Sequence, residues 1–183
     1  MKKTVLQTAI YVFALCFITA CSKSDDKKEE ESSSTTGEHT YRIEVANGTT
    51  YQGSVPKETG SVYYPVAFVE YSEEINSKVL TGILQDVPGD FQFGIGLAID
   101  SNNQATIPGS GVGITFGQRT IEDKYRPVGA INITISNYKE HSISMYGEDG
   151  TVASFTLNFS GEFKLGQSGD PVSVTGEIVV AVP

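Results

Sequence analysis

Residues 91–99, Phe91-Gln92-Phe93-Gly94-Ile95-Gly96-Leu97-Ala98-Ile99, alternate between large apolar side chains and small or polar ones. Because successive side chains of a β-strand point to opposite faces, this period of two predicts a strand with one buried face. The same period recurs at residues 41–45, 131–135, 153–159 and 172–182. The repeated pattern predicts an all-β domain.

Turn-forming sequences lie between these predicted strands. Asn47-Gly48 is typical of a two-residue β-hairpin loop, and we expect further turns at 101–103, 148–150 and 166–170. Segment 73–84 shows no continuous helical pattern, so we expect a turn followed by a strand there. About nine or ten strands joined in this way predict an antiparallel β-sandwich, with a β-barrel as the alternative.

Composition excludes several classes of protein. The 183 residues carry 13 Lys+Arg against 22 Asp+Glu, and a net charge of −9 disfavours nucleic acid as a partner. A hydrophobic content of 39% is too high for a chain that is disordered throughout. Two cysteines are too few for a disulfide scaffold or a cysteine-ligated zinc site.

The first twenty residues have the layout of a secretory signal. Lys2 and Lys3 precede an apolar stretch at 5–17, which is shorter than the roughly 20 apolar residues that span a bilayer. The tetrapeptide Ile18-Thr19-Ala20-Cys21 that follows resembles the lipobox of bacterial lipoproteins. An ordinary signal peptide that contains Cys21, or an uncleaved anchor, is the alternative.

The lipobox resemblance implies a lipid anchor on Cys21. In that family the cysteine is diacylated on sulfur, residues 1–20 are cleaved off, and the new amino group is acylated with a palmitate-type chain. Each buried methylene of such chains contributes ~0.8 kcal/mol, so three chains hold a protein stably on a membrane. The membrane is therefore the first expected partner.

Residues 21–38 are predicted to be the lipidated cysteine and a disordered acidic linker, since 22–38 hold no apolar side chain. The Ser-rich and acidic run resembles the surface-export signal of Bacteroidota lipoproteins. That resemblance implies an outer-membrane protein at the cell surface, with the periplasmic face as the alternative. Residues 39–183 are predicted to form a single all-β domain, whose segments 159–163 and 174–178 resemble the closing strand pairs of small uncharacterised Bacteroidota lipoproteins.

Residues 39–183 offer few groups for catalysis. They contain no cysteine, and we expect His39 to be solvated and His141 to lie at a surface strand end. Adjacent carboxylates point to opposite faces of a strand, which disfavours an acid–base pair at Glu73/Glu74, Glu122/Asp123 or Glu148/Asp149. The turn Asp100-Ser101-Asn102-Asn103 could offer oxygen ligands to calcium, but a polar turn is the favoured interpretation. The sequence predicts no enzyme, no metal site and no cofactor.

Recognition is the remaining class of function. Tyrosine and arginine lead at binding interfaces, and loop 117–127 contains both. A solvated connection with balanced charges is the alternative interpretation of that loop. The candidate binding residues are Tyr63, Tyr71, Arg119, Tyr125 and Arg126.

The sequence thus predicts a non-enzymatic binding or accessory module for a glycan or an outer-membrane partner protein. One alternative is a carrier of a small apolar ligand, which requires an interior that Phe91, Phe93, Phe155 and Phe159 leave unfilled. A glycoside hydrolase is the least favoured alternative.

Overall fold

Thirteen β-strands make up the part of the chain that the computed structural model describes, which is residues 37–59, 62–63, 66–107, 113–145 and 147–183. Every strand pair is antiparallel, and the described residues contain no helix. The prediction of an all-β antiparallel fold is confirmed. The strands are β1 (Glu38–Val45), β2 (Thr50–Pro56), β3 (Glu58–Thr59), β4 (Val62–Tyr63), β5 (Ala67–Ser72), β6 (Ser77–Asp86), β7 (Phe91–Ile99), β8 (Ala105–Thr106), β9 (Gly113–Gln118), β10 (Tyr125–Pro127), β11 (Asn132–Met145), β12 (Glu148–Leu165) and β13 (Val172–Val180).

One large sheet, in the order β10-β9-β7-β6-β5-β12-β13-β1-β2, contains most of these strands. Strand β11 pairs with β12, β8 pairs with β7, and β3-β4 form a separate hairpin. The long strand β12 pairs with β5 at Val152–Phe68 and with β10 at Leu165–Tyr125. Because the path from β5 to β10 returns to β12, the sheet curls onto itself into a sandwich with barrel-like closure.

Aromatic rings fill the interior between the facing parts of the sheet. Tyr41 of β1 stacks on Phe91 of β7 with ring centroids 4.0 Å apart, and Phe93 of β7 meets Phe159 of β12 at 6.0 Å. The rings of Phe91, Phe93, Phe155 and Phe159 are all buried. The four phenylalanines therefore belong to the packed core.

A close approach between Phe159 and Gly176 determines how β12 and β13 fit together. The two residues are direct register partners, and the ring lies across the glycine. A Cβ atom placed on Gly176 would stand 2.3 Å from Cζ of Phe159, which is far inside van der Waals contact. Only glycine leaves room for this ring in the core.

Most predicted turns are confirmed, and one is displaced. Gly48 adopts φ +93° in the β1–β2 hairpin, and segment 73–84 forms a turn followed by β6. The turns near 101–103 and 166–170 also form. The prediction of a turn at 148–150 is wrong, because Glu148 already pairs with Met145 and the chain reverses at Gly147, with φ +88°. Glycine tolerates that left-handed conformation without steric cost.

His39 is buried, so the prediction that it is solvated is wrong. Its exposed fraction is 0%, because β1 begins at Glu38 and carries the imidazole into the core. Nδ1 of His39 accepts a hydrogen bond from the backbone N–H of Ala181 at 3.0 Å. The residue thus connects the first strand to the segment that follows β13.

No helix within the described ranges is long and apolar enough to cross a bilayer.

Candidate binding site

Five neighbouring strands, β11-β12-β13-β1-β2, present a continuous polar surface on the outside of the sheet. Along β12, Leu157 and Phe159 point into the core, so Asn158 and Ser160 point outward. The same alternation applies to the strands beside it. We call this surface the polar face, and it consists of Arg42, Glu44, Thr50, Gln52, Asn132, Thr134, Asn158, Ser160, Thr175 and Glu177.

Strand register arranges the polar face in two rows. The pairings place one row across the five strands as Thr134, Asn158, Glu177, Arg42 and Gln52. The second row is Asn132, Ser160, Thr175, Glu44 and Thr50. Side chains directly opposite on paired strands have Cβ atoms about 5 Å apart, and four strand spacings make the rows about 19 Å long.

Eight residues of the polar face, all but Thr50 and Gln52, line an open groove of about 410 Å³. Arg42 donates from Nη2 to Oε1 of Glu44 at 2.7 Å and from Nη1 to Oε1 of Gln52 at 3.2 Å. These bonds orient the guanidinium within the groove. Among the residues that the structure describes, the side chains of Asn158 and Glu177 make no hydrogen bond, so their polar atoms remain available to a ligand.

Tyr125, predicted as an exposed contact residue, lies in the core instead. Its exposed fraction is 6%, and its ring stacks on Phe116 with centroids 4.9 Å apart. Asn47 donates from Nδ2 to the Tyr125 hydroxyl at 3.4 Å. Arg126 follows on the same strand, points to the opposite face and is exposed. Tyr125 and Arg126 therefore cannot belong to one contact surface.

The other predicted binding residues are distributed over separate strands. Tyr71 on β5 is 62% exposed, and its hydroxyl donates to Oδ1 of Asn76 at 2.5 Å. Arg119 is exposed after the end of β9. The backbone of Tyr63 lies in β4, and its side chain is outside the described residues, as is Cys21. In one direction around the sheet, strands β6, β7 and β9 lie between β5 and β10, and in the other direction β12 lies between them. Tyr71 on β5 therefore does not form one patch with Arg126 on β10.

A second group of titratable side chains joins β6 to β11. Oε1 of Glu140 accepts from Nζ of Lys78 at 2.6 Å and from the Tyr138 hydroxyl at 3.0 Å. The hydrogen bond from Lys78 is the main reason that the pKa of Glu140 is lowered. Burial, together with the contact to Glu140, raises the pKa of Tyr138. This network has a structural role, since each of its members is already partnered.

The prediction that His141 lies at a strand end is wrong, because His141 is four residues before the end of β11. Its Nε2 lies 2.8 Å from Oγ of Ser154 on β12. Burial lowers the pKa of His141, and the charge of Lys139 lowers it further. Ser154 is only 5% exposed, so this hydroxyl is closed to a substrate.

The carboxylates considered for catalysis are exposed, and the one considered for calcium holds a turn together. Each of the pairs Glu73/Glu74, Glu122/Asp123 and Glu148/Asp149 is solvent-exposed on a turn or strand end. Oδ1 of Asp100 accepts from the backbone N–H groups of Asn102 and Gln104, both at 2.8 Å, and so holds the turn together. Within the described ranges, no three His, Cys, Asp or Glu side chains gather where they could hold a metal ion.

The polar face was missed in the sequence because its members are far apart in the chain. The period of two does place Asn158 and Ser160 outward, but only the register of β12 with β11 and β13 aligns them with other polar side chains.

Comparisons with protein-family models, with curated proteins and with solved structures find no match for the chain.

Proposed function

We propose that the protein is a lipid-anchored, non-enzymatic binding module of the outer membrane, displayed at the cell surface, and that its polar face binds a glycan. The single observation behind this proposal is the two-row arrangement of amide, hydroxyl, carboxylate and guanidinium groups across five adjacent strands.

The chemistry of the polar face favours a carbohydrate over a protein. A sugar presents many hydroxyls, each of which both donates and accepts, and Asn158, Thr175 and Glu177 offer complementary partners. The core of a protein–protein interface is instead depleted in charge and enriched in aromatic side chains. The polar face has no exposed aromatic ring and includes an ion pair between Arg42 and Glu44 at 2.7 Å.

The anchor supplies the location in this proposal. Lipid on Cys21 would keep the module on the membrane, and a linker of the composition of residues 22–38 spans about 20–25 Å as a random coil. Such a distance leaves the domain free to meet polysaccharide outside the bilayer.

Affinity electrophoresis and a glycan array with the purified domain test the proposal. A triple variant, Asn158→Ala/Thr175→Ala/Glu177→Ala, removes the unpaired hydrogen-bonding groups at the centre of the polar face. We expect it to lose at least tenfold in affinity, which corresponds to about 1.4 kcal/mol. Thr81→Ala on β6, also exposed but outside the polar face, is the control and should bind like the wild type.

Two results would contradict the proposal. Binding that is unchanged in the triple variant would move the site away from the polar face. A silent array, combined with specific recovery of an outer-membrane protein through the same surface, would favour the partner-protein alternative.

A further inference from the structure

Two cations stand opposite each other on the strands that continue the polar face. Arg126 of β10 and Lys164 of β12 are direct register partners. Lys164 is an even-numbered residue of β12, so it lies on the same outer side as Asn158 and Ser160. Arg126 is exposed and Lys164 is half-buried. We call these two residues the basic pair.

The basic pair is not neutralised by the protein. Neither cation forms an ion pair with any carboxylate of the described residues. Nζ of Lys164 donates to the backbone carbonyl of Gln167 at 3.1 Å, and this contact leaves its charge uncompensated. Glu162, two residues before Lys164 on the same side, instead accepts a hydrogen bond from the Ser173 hydroxyl.

Two positive charges in direct register lower the stability of the sheet unless an anion neutralises them. Like charges directly opposite on paired strands destabilise a sheet. Residues 39–183 contain 16 acids and 8 bases, so bases are the scarcer charge in this domain. Two of them nevertheless face each other directly, and Glu162, the acid beside Lys164 on β12, forms an ion pair with neither. An anionic ligand would balance these two charges.

The basic pair is within reach of a ligand on the polar face. Lys164 lies four positions after Ser160 on β12, a distance of about 13 Å along the strand. The charges of Glu177 and Arg42 lie in the farther row, beyond the Debye length of about 8 Å at physiological salt. Glu162, two residues from Lys164 on the same side, lies within that length, and its carboxylate accepts a hydrogen bond from the Ser173 hydroxyl.

We propose that the ligand of the polar face is an acidic glycan, whose carboxylate or sulfate group binds between Arg126 and Lys164. This inference rests on the proposed function and specifies its substrate class. The guanidinium of Arg126 can hold two oxygens of such a group at once, and Lys164 adds a point charge from the adjacent strand. The neutral part of the sugar chain then lies along the amides and hydroxyls of the polar face.

An anionic lipid surface is a weaker candidate for the same cations. Recognition of acidic membranes uses clusters of 4–8 basic residues, whereas the basic pair has two. On β12 the exposed side chain of Glu162 stands between it and the groove, and beyond Glu162 lie the hydroxyls and amides of the polar face, which suit sugar hydroxyls and offer nothing to acyl chains.

The test measures affinity for polygalacturonate beside its carboxyl-reduced form, for chondroitin sulfate beside its desulfated and carboxyl-reduced form, and for vesicles of phosphatidylglycerol. The variant is Arg126→Gln/Lys164→Gln. Lys139→Gln, the same change at an exposed lysine ten register positions away along β12, is the control. Urea unfolding of each variant checks that it is folded.

We expect the wild type and Lys139→Gln to bind at least one acidic polysaccharide tenfold or more tightly than its reduced form. In the double variant this preference should vanish, while residual affinity for the reduced form remains. Arg126→Lys should fall between the two, because it keeps the charge and loses the two-pronged contact.

Three results would overturn the inference in distinguishable ways. Equal binding of acidic and reduced polysaccharides by the wild type would refute the acidic ligand and leave the polar face as a site for neutral glycans. Binding to phosphatidylglycerol vesicles alone would assign the basic pair to the membrane. The absence of binding to every polysaccharide would refute the proposed function together with this inference.

Discussion

The hydroxyl of Tyr41 donates to Oδ2 of Asp86 at 2.6 Å and so joins β1 to the end of β6 across the interior. Asp86 is 8% exposed and also accepts the backbone N–H of Gly89 at 3.0 Å. A Cβ atom on Gly53 would stand 2.6 Å from the Tyr41 oxygen, so glycine is required beside this bond. A buried carboxylate is tolerated only when donors replace its water. The Tyr41–Asp86 bond therefore ties together two strands that do not pair with each other.

Removing this hydroxyl should destabilise the domain. Tyr41→Phe leaves Asp86 with only the Gly89 N–H, and a buried hydrogen bond to a charged acceptor contributes about 2 kcal/mol. Urea unfolding at neutral pH measures the change. Tyr71→Phe, which alters an exposed tyrosine, should have an effect within about 0.5 kcal/mol of zero. Equal stability of the two variants would show that the Tyr41–Asp86 bond contributes nothing.

Alkaline pH should weaken the fold through Tyr41 and Tyr138. Burial and the adjacent carboxylates of Asp86 and Glu140 raise the pKa of these two phenols above the ordinary value of 10.0. Their contribution is complete below pH 10.0, where tyrosines of the unfolded chain are also protonated, and is lost as the pH rises toward the folded-state values.

Urea midpoints between pH 8 and pH 11 check this dependence. Wild-type stability should fall above pH 10, and the fall should be shallower in Tyr41→Phe/Tyr138→Phe. Parallel curves for the two proteins would argue against raised pKa values at both positions.

Gly176 should not tolerate a side chain. Gly176→Ala forces a methyl group against the ring of Phe159, and overpacking of this kind costs about 1–3 kcal/mol. Gly150→Ala is the matched control in β12, because the nearest atom to its Cβ is 3.9 Å away on Ile143. Thermal unfolding should show a clear loss for the first variant and little change for the second. A tolerated Gly176→Ala would mean that the Phe159 ring moves easily.

His141 should titrate below its ordinary value of 6.5. Burial lowers its pKa first, and the neighbouring charge of Lys139 lowers it further. The neutral form therefore stabilises the fold above pH 6.5, and this contribution is lost as the pH falls through the folded-state pKa. NMR titration of the ring protons gives the value directly, and Lys139→Gln should raise it. A pKa at or above 6.5 in the wild type would contradict the effect of burial.

Local alternation was enough to predict β7 and the outward direction of Asn158, because strand side chains follow a period of two regardless of partners. The prediction that Tyr125 is exposed was wrong because its burial depends on strands that are distant in the chain. Tyr125 lies between Lys124 and Arg126 in a strand of three residues, and its ring packs against Phe116 of β9 and against Tyr51 of β2, which is distant in the chain. The rows of the polar face and the opposition of Arg126 and Lys164 depend on register between distant segments, which no single stretch of sequence encodes.

The lipid anchor is a prediction from the sequence. Substitution of Cys21 tests it, and substitution of Cys16 is the control. Cys21→Ala removes the only thiol that the lipobox resemblance assigns to acylation, whereas Cys16→Ala changes a residue within the predicted signal. Wild type and Cys16→Ala should fractionate with the outer membrane, and mass spectrometry should show a chain that starts at an acylated Cys21. Cys21→Ala should lack the acyl mass and lose that fractionation, because each buried methylene contributes about 0.8 kcal/mol of anchoring. An unmodified Cys21 in the wild type would remove the membrane from the proposed function and leave the polar face as the site of a soluble binding module.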